Sequence, residues 1–241
     1  MKKLMLSVAA LAMSTTFAMS ADVVRMGTEG AYPPYNFVND AGEVDGFERE
    51  LGDELCKRAN LTCEWVVNDW DSIIPNLVSG NYDTIIAGMS ITDERDEVID
   101  FTQNYTPPSP SIYVAASADV DVTSGVIAAQ TSTIQSGYVA NSGATLVEFA
   151  TPDETLAAVK NGEADAVLAD VDFLRPVADE SNGELVVVGE PVFLGGGVGM
   201  GVRESDGELR EKFDAAIQSM KDDGTLNTMI TKWFGEDAYT F

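Results

Sequence analysis

The segment Gly88-Met89-Ser90-Ile91-Thr92-Asp93-Glu94-Arg95 sets a hydroxyl and a guanidinium within two helical turns of each other. Ser90 at the start of a helical turn would sit beside backbone N–H groups that have no partner inside the helix, a place suited to a carboxylate. Arg95 can fork onto the same carboxylate through two parallel hydrogen bonds. A plainer account also fits: Ser90 caps a helix and Arg95 forms a surface ion pair with Asp93, Asp96 or Glu97. A second chemical position comes from an internal echo. Leu77-Val78-Ser79-Gly80-Asn81-Tyr82-Asp83-Thr84-Ile85-Ile86-Ala87 parallels Val159-Lys160-Asn161-Gly162-Glu163-Ala164-Asp165-Ala166-Val167-Leu168-Ala169, with one constant offset. In each copy Gly ends a helix, Asp occupies the turn and an apolar strand follows. Each strand delivers its next residue, Gly88 or Asp170, to the C-terminal edge of a sheet, where ligands bind in open α/β folds.

The missing residue types narrow the chemistry. The 241 residues contain no His. That removes Ser–His–Asp and Cys–His nucleophile pairs and the usual zinc ligands together. The acidic pairs Asp119/Asp121 and Asp170/Asp172 lack the spacing, Gly and terminal Glu of a calcium loop. Gly197-Val198-Gly199-Met200-Gly201 is not a dinucleotide loop, so no cofactor or metal is implied, and hinge freedom accounts for its glycines. A net charge of −26 repels phosphate backbones and excludes nucleic acid as a partner, while favouring solubility and, weakly, cationic ligands.

The elements that must position these residues alternate between short apolar runs and amphipathic stretches, which reads as α/β with mostly parallel strands. Phe47, Leu51 and Leu55 form a helix stripe ending near Asn60. Cys63–Val67 reads as a strand, Ser72–Ser79 as a short helix and Ile85–Ala87 as a buried strand. The run Val126–Ala129, Gln135–Asn141, Leu146–Phe149, Pro152–Lys160 and Ala166–Ala169 repeats the alternation. Two segments read as crossings between lobes: Pro107–Pro110 leading into Ser111–Ala115, and Phe193–Val202. At the N-terminus, Lys2 and Lys3, the apolar run Leu4–Met13 and the small residues Ala18–Ala21 form a secretory leader. Its apolar run is shorter than the roughly 20 residues that span a bilayer. No later segment is apolar enough to do so, and the chain is expected to be exported rather than membrane-spanning. In an oxidising compartment the only two cysteines, Cys56 and Cys63, are expected to bridge.

Several motifs, taken in order, resemble the polar-amino-acid-binding proteins of ABC importers. They are Gly27-Thr28-Glu29-Gly30-Ala31-Tyr32-Pro33-Pro34-Tyr35, Val44-Asp45-Gly46-Phe47-Glu48, and Asp69-Trp70-Asp71-Ser72-Ile73-Ile74-Pro75. Met89-Ser90-Ile91-Thr92-Asp93-Glu94-Arg95 with Ile99-Asp100-Phe101-Thr102 follows, then Asp223-Gly224-Thr225 and Lys232-Trp233-Phe234-Gly235. The resemblance covers essentially the whole chain after the leader. It implies a two-lobe periplasmic binding protein fold of type II, each lobe a mostly parallel sheet flanked by helices, joined by two hinge crossings. Its divisions are a signal peptide over 1–21, lobe one over 22–109, lobe two over 110–195, and a return to lobe one over 196–241.

The resemblance also implies roles. Arg95 and Ser90 hold a ligand α-carboxylate, and the Gly88 carbonyl and Asp170 receive the α-ammonium. The loop Gln130–Gln135 adds the Thr133 hydroxyl and the backbone N–H of Ile134. Ser132 stands there where Gly is usual, and Ile134 where a hydroxyl residue is common. Trp70 is an aromatic floor and Tyr32 an aromatic wall. Glu29 followed by Tyr-Pro-Pro is most similar to arginine-binding members, and the short Cys56–Cys63 bridge to the lysine/arginine/ornithine/histidine group. The expected function is periplasmic capture of an L-amino acid, arginine or another basic one, by a monomer that delivers it to ABC permease subunits. Two alternatives stay open: glutamine or another neutral polar amino acid as ligand, since glutamine-binding relatives also carry an acid at Glu29, and a dehydratase-type enzyme on the same fold.

Overall fold

The structure, a computed structural model, describes residues 23–241; the leader assigned to 1–21 lies outside the described residues. In chain order the elements begin with β1 (Val24–Thr28), β2 (Ala31–Tyr32), β3 (Asn36–Val38), β4 (Val44–Asp45), α1 (Phe47–Arg58) and β5 (Cys63–Val67). A 3₁₀ turn at Trp70–Ser72 leads into α2 (Ile73–Val78), β6 (Thr84–Ile85), α3 (Asp93–Asp96), β7 (Asp100–Phe101) and β8 (Pro110–Ala115). Next come β9 (Val126–Gln130), α4 (Ile134–Ala140), β10 (Thr145–Phe149), α5 (Pro152–Asn161), β11 (Ala166–Asp170), α6 (Val171–Glu180) and β12 (Val186–Phe193). The chain ends with β13 (Gly201–Val202), α7 (Gly207–Asp222) and α8 (Thr225–Phe234).

Two five-stranded sheets carry the fold, in the orders β5-β1-β6-β13-β7 and β10-β9-β11-β8-β12. In each, three parallel strands are followed by one reversed strand and one that runs with the first three. The fold is therefore the expected two-lobe α/β arrangement. The internal echo has a topological meaning: β6 and β11 occupy the same third position, each parallel to the strand in second position, β1 or β9. The glycine that precedes each, Gly80 or Gly162, has a positive φ, 83° and 74°. β2, β3 and β4 form a separate small antiparallel sheet.

Local chemistry explains the elements around the site. Phe47, Leu51 and Leu55 are fully buried along one face of α1, and the helix carries Glu48 and Glu50 in its first turn and Lys57 and Arg58 in its last, matching its dipole. Gly46 enters α1 at φ 115°, where a Cβ would lie 2.6 Å from the Tyr35 carbonyl oxygen. Cys56 and Cys63 are bonded, tying the end of α1 to the start of β5. α5 starts with a full capping box, Thr151 with Glu154, behind Pro152. The chain leaves the first sheet after Phe101 and enters the second at Pro110, then returns between Phe193 and Gly201. The two crossings pair with each other: Tyr105 N–H donates to the Val198 carbonyl at 2.7 Å, and Val198 N–H to the Thr106 carbonyl at 3.2 Å.

Candidate functional site

The C-terminal ends of the parallel strands in both sheets face one cavity that opens to solvent. On the side of the first sheet lie Glu29, directly after β1, Tyr32 of β2 in the small antiparallel sheet, Trp70, and Gly88, Ser90 and Arg95 beyond β6. From the second come Thr133 and Ile134 at the start of α4 and Asp170 at the end of β11. All the ligand-facing residues expected from the sequence line this single space. Gln130, Gln135, Pro152, Thr155, Leu168 and Phe173 line it as well.

Arg95 resolves the alternative left open by its neighbours. Its guanidinium donates to the Ser90 carbonyl at 2.9 Å and, across the cleft, to the Ser132 carbonyl at 3.2 Å, and it lies 5.3 Å over the Trp70 ring. The half-buried guanidinium is lowered to about 10 by desolvation, against the pull of Asp170 and Glu94. Ser90 departs from its expected local setting. The short helix α3 begins later, and Thr92 is its cap, its hydroxyl accepting from Arg95 N–H at 3.2 Å. Ser90 is held extended instead, bridged to Val198 on the return crossing. Its side chain is thereby released from capping and faces the cavity.

Thr133 caps α4: its hydroxyl accepts from Ser136 N–H at 3.1 Å and donates to the Gln130 carbonyl at 2.7 Å. Gly88 has φ +61°, and a Cβ there would press within 3.2 Å of the Tyr32 ring. Its N–H donates at 2.6 Å to Glu48, a fully buried carboxylate that also accepts from Asn36 Nδ2 at 2.7 Å and from the Tyr105 hydroxyl. Asn36 Oδ1 in turn accepts Gly30 N–H at 2.7 Å, so one buried acid holds the turns on both sides of the cavity floor. Burial raises Glu48 despite these three donors.

Tyr32 does more than wall the cavity. Its ring stacks between Tyr35 and Phe173, with centroids 5.9 and 4.7 Å away, and its hydroxyl donates to Asp170 Oδ2 at 2.8 Å. Gln135 Nε2 donates to the other Asp170 oxygen at 2.8 Å. Asp170 is nonetheless raised to about 6, by burial and by nearby Asp172, against the pull of Tyr32, Arg95 and Gln135. Glu29 is 8% exposed and is raised to about 7 by burial and by the charges of Asp69 and Glu48. Its hydrogen-bond donor is Gln130 Nε2 at 2.6 Å, which reaches over from the second sheet. Sequence reasoning placed the loop Gln130–Gln135 at the site but missed both glutamines, and Phe173 with them. Among the described residues, no group of three or more His, Cys, Asp or Glu side chains is set to hold a metal ion. One positive and two negative groups on opposing walls can bind a zwitterion that carries an extra cation.

Comparison with known proteins fits this arrangement. The profile of the bacterial extracellular solute-binding proteins, family 3, matches residues 24–236. The chain belongs to that family. A crystal structure of a periplasmic His/Glu/Gln/Arg/opine family-binding protein from Silicibacter pomeroyi, in complex with lysine, is 79% identical. It covers 91% of this chain and all of its own, at a TM-score of 0.90. Within the family, the histidine-binding periplasmic protein of Escherichia coli K12 is 35% identical over 99% of both chains. The L-arginine-binding protein of Pseudomonas aeruginosa is 34% identical, again over 99% of both. No helix among the described residues is long and apolar enough to cross a membrane.

Proposed function

We propose that this solute-binding protein is exported through the leader at 1–21 and works in the periplasm as a monomer. It captures a basic L-amino acid between its lobes and passes it to the permease subunits of an ABC importer. The observation that carries this reading is Glu29, a buried carboxylate whose hydrogen-bond donor is a neutral amide, in a cavity already holding Arg95 opposite Asp170. A buried acid without a positive partner is costly, and a ligand cation removes that cost. Arg95 and Ser90 take the α-carboxylate. The Thr133 hydroxyl, once turned from the Gln130 carbonyl, and the Ile134 N–H complete its shell. Asp170 and the Gly88 carbonyl take the α-ammonium, Trp70 and Tyr32 flank the side chain, and Glu29 meets its cationic end. The lobes are taken as 22–109 with 196–241, and 110–195, moving about the paired crossings. The lysine complex of the 79%-identical protein and the arginine- and histidine-binding relatives support a basic ligand.

Isothermal calorimetry with arginine, lysine, ornithine, histidine, glutamine and citrulline tests this. The basic amino acids should bind at least tenfold more tightly than glutamine and citrulline. A neutral amino acid that binds as tightly as the best basic one would overturn the assignment of Glu29 while leaving amino-acid capture intact.

A further inference from the structure

Gln130 ends β9 in the second sheet, and its side-chain amide faces two acceptors at once. Nε2 donates to Glu29 Oε1 at 2.6 Å and to the Ala150 carbonyl at 3.1 Å. With Glu29 ionised, both partners accept only, so the amide then has one usable orientation, with its NH₂ group toward them. Gln130 is 8% exposed, which leaves it little room for another rotamer. The contact therefore engages one oxygen of Glu29 and restrains the carboxylate's rotation, with Oε2 carrying no hydrogen bond among the described residues.

The contact also spans the cleft. Glu29 follows β1 and Gln130 closes β9, strands that hold the same second position in their two sheets. Their side chains meet only when the lobes are together. An acid that could swing would present two oxygens at varying angles, whereas the locked carboxylate presents one oxygen in a fixed direction. Recognition of a ligand's terminal cation and closure of the lobes then depend on the same hydrogen bond.

We propose that Gln130 is a specificity-determining positioning residue, which locks Glu29 on closure so that the site selects ligands with a cationic side chain over their neutral counterparts. This rests on the reading of Glu29 as the partner of the ligand's side-chain cation. Gln130 also lines the cavity, so the double variant separates an effect passed through the Glu29 carboxylate from a direct contact with the ligand.

The test is the ratio of arginine to citrulline affinity, since the two ligands share backbone and shape and differ in side-chain charge. Both are titrated calorimetrically into wild type, Gln130→Met, Glu29→Gln and the double variant. Methionine matches glutamine in length and removes the donor. Gln130→Asn, which keeps an amide but falls one methylene short, serves if the methionine variant does not fold. The ratio is expected to fall roughly tenfold in Gln130→Met, as for loss of a charge-assisted hydrogen bond. In the Glu29→Gln background, Gln130→Met should leave the ratio unchanged. A Gln130→Met ratio equal to wild type, whatever the absolute loss, overturns the proposal, and so does an additive fall in the double variant. A wild-type ratio near one instead overturns the basic-ligand reading, and this proposal with it.

Discussion

The raised carboxyls of the cavity make the ligand preference depend on pH, with a size that can be worked out. Glu29 is pushed up to about 7 and Asp170 to about 6. A ligand cation binds the ionised forms, so each acid that holds a proton weakens binding by the factor 1 + 10^(pKa − pH). For Glu29 that factor is about 2 at pH 7 and about 100 at pH 5, a relative loss of about 50-fold. For Asp170 it is about 1.1 and about 11, a loss of about tenfold. In the proposed function Asp170 serves the α-ammonium, which every amino acid carries, whereas Glu29 serves only a charged side chain. Lowering the pH from 7 to 5 should therefore cost citrulline about tenfold and arginine about 500-fold, so that selectivity falls about 50-fold. In Glu29→Gln the selectivity should be small and flat across this range. The ligand-free protein carries the opposite sign. A carboxyl raised from 4.5 to about 7 binds more protons folded than unfolded, so stability drops by about 3 kcal/mol as pH rises through that window. Competition binding of arginine against citrulline at half-unit pH steps, in both proteins, measures the effect. A wild-type ratio that stays constant between pH 5 and 7 refutes the assignment of Glu29 as the group that reads side-chain charge.

Three further outcomes follow from the contacts. Arg95→Ala should weaken amino-acid binding by about 2–5 kcal/mol in calorimetry, because the ligand carboxylate loses its charged partner in a shielded cavity; a loss under threefold argues against that role. Replacing Cys56 and Cys63 together by Ala should cost about 2–3 kcal/mol through the unfolded state, seen as a melting temperature lower by about 4–12 °C, while reducing agent should leave the variant's melting unchanged. Glu48→Gln should destabilise by about 1–3 kcal/mol in urea unfolding. Whichever way the new amide points, its NH₂ group meets a donor, and Asn36 cannot turn to accept without giving up Gly30.

What could be read from the sequence is what local pattern encodes. The stripe of α1, the glycine–aspartate turns before β6 and β11, and the delivery of Gly88 and Asp170 to strand ends all follow from periodicity and turn chemistry within a few residues. The cap of α3 shows where this stops. Ser90 and Thr92 are both competent caps by type, and the choice falls to Thr92 because the Ser90 backbone is drawn into a bridge with Val198 on the returning crossing. The contacts across the cleft lie further out of reach. Tyr32 with Asp170, Tyr35 with Asp172 and Glu29 with Gln130 each join residues more than a hundred positions apart, and no local spacing relates such partners. These pairs share a chemistry that bears on function. In each, a neutral hydroxyl or amide donates to an acid that burial has raised above its ordinary range. Neutral donors hold the lobes together without cancelling the acids' charge. In the proposed function that cancellation is left to the ligand at Glu29 and, beyond what Arg95 supplies, at Asp170. A ligand with one cation satisfies one of them, and a ligand with two satisfies both. On this argument charge, ahead of side-chain shape, ranks the amino acids the cavity retains.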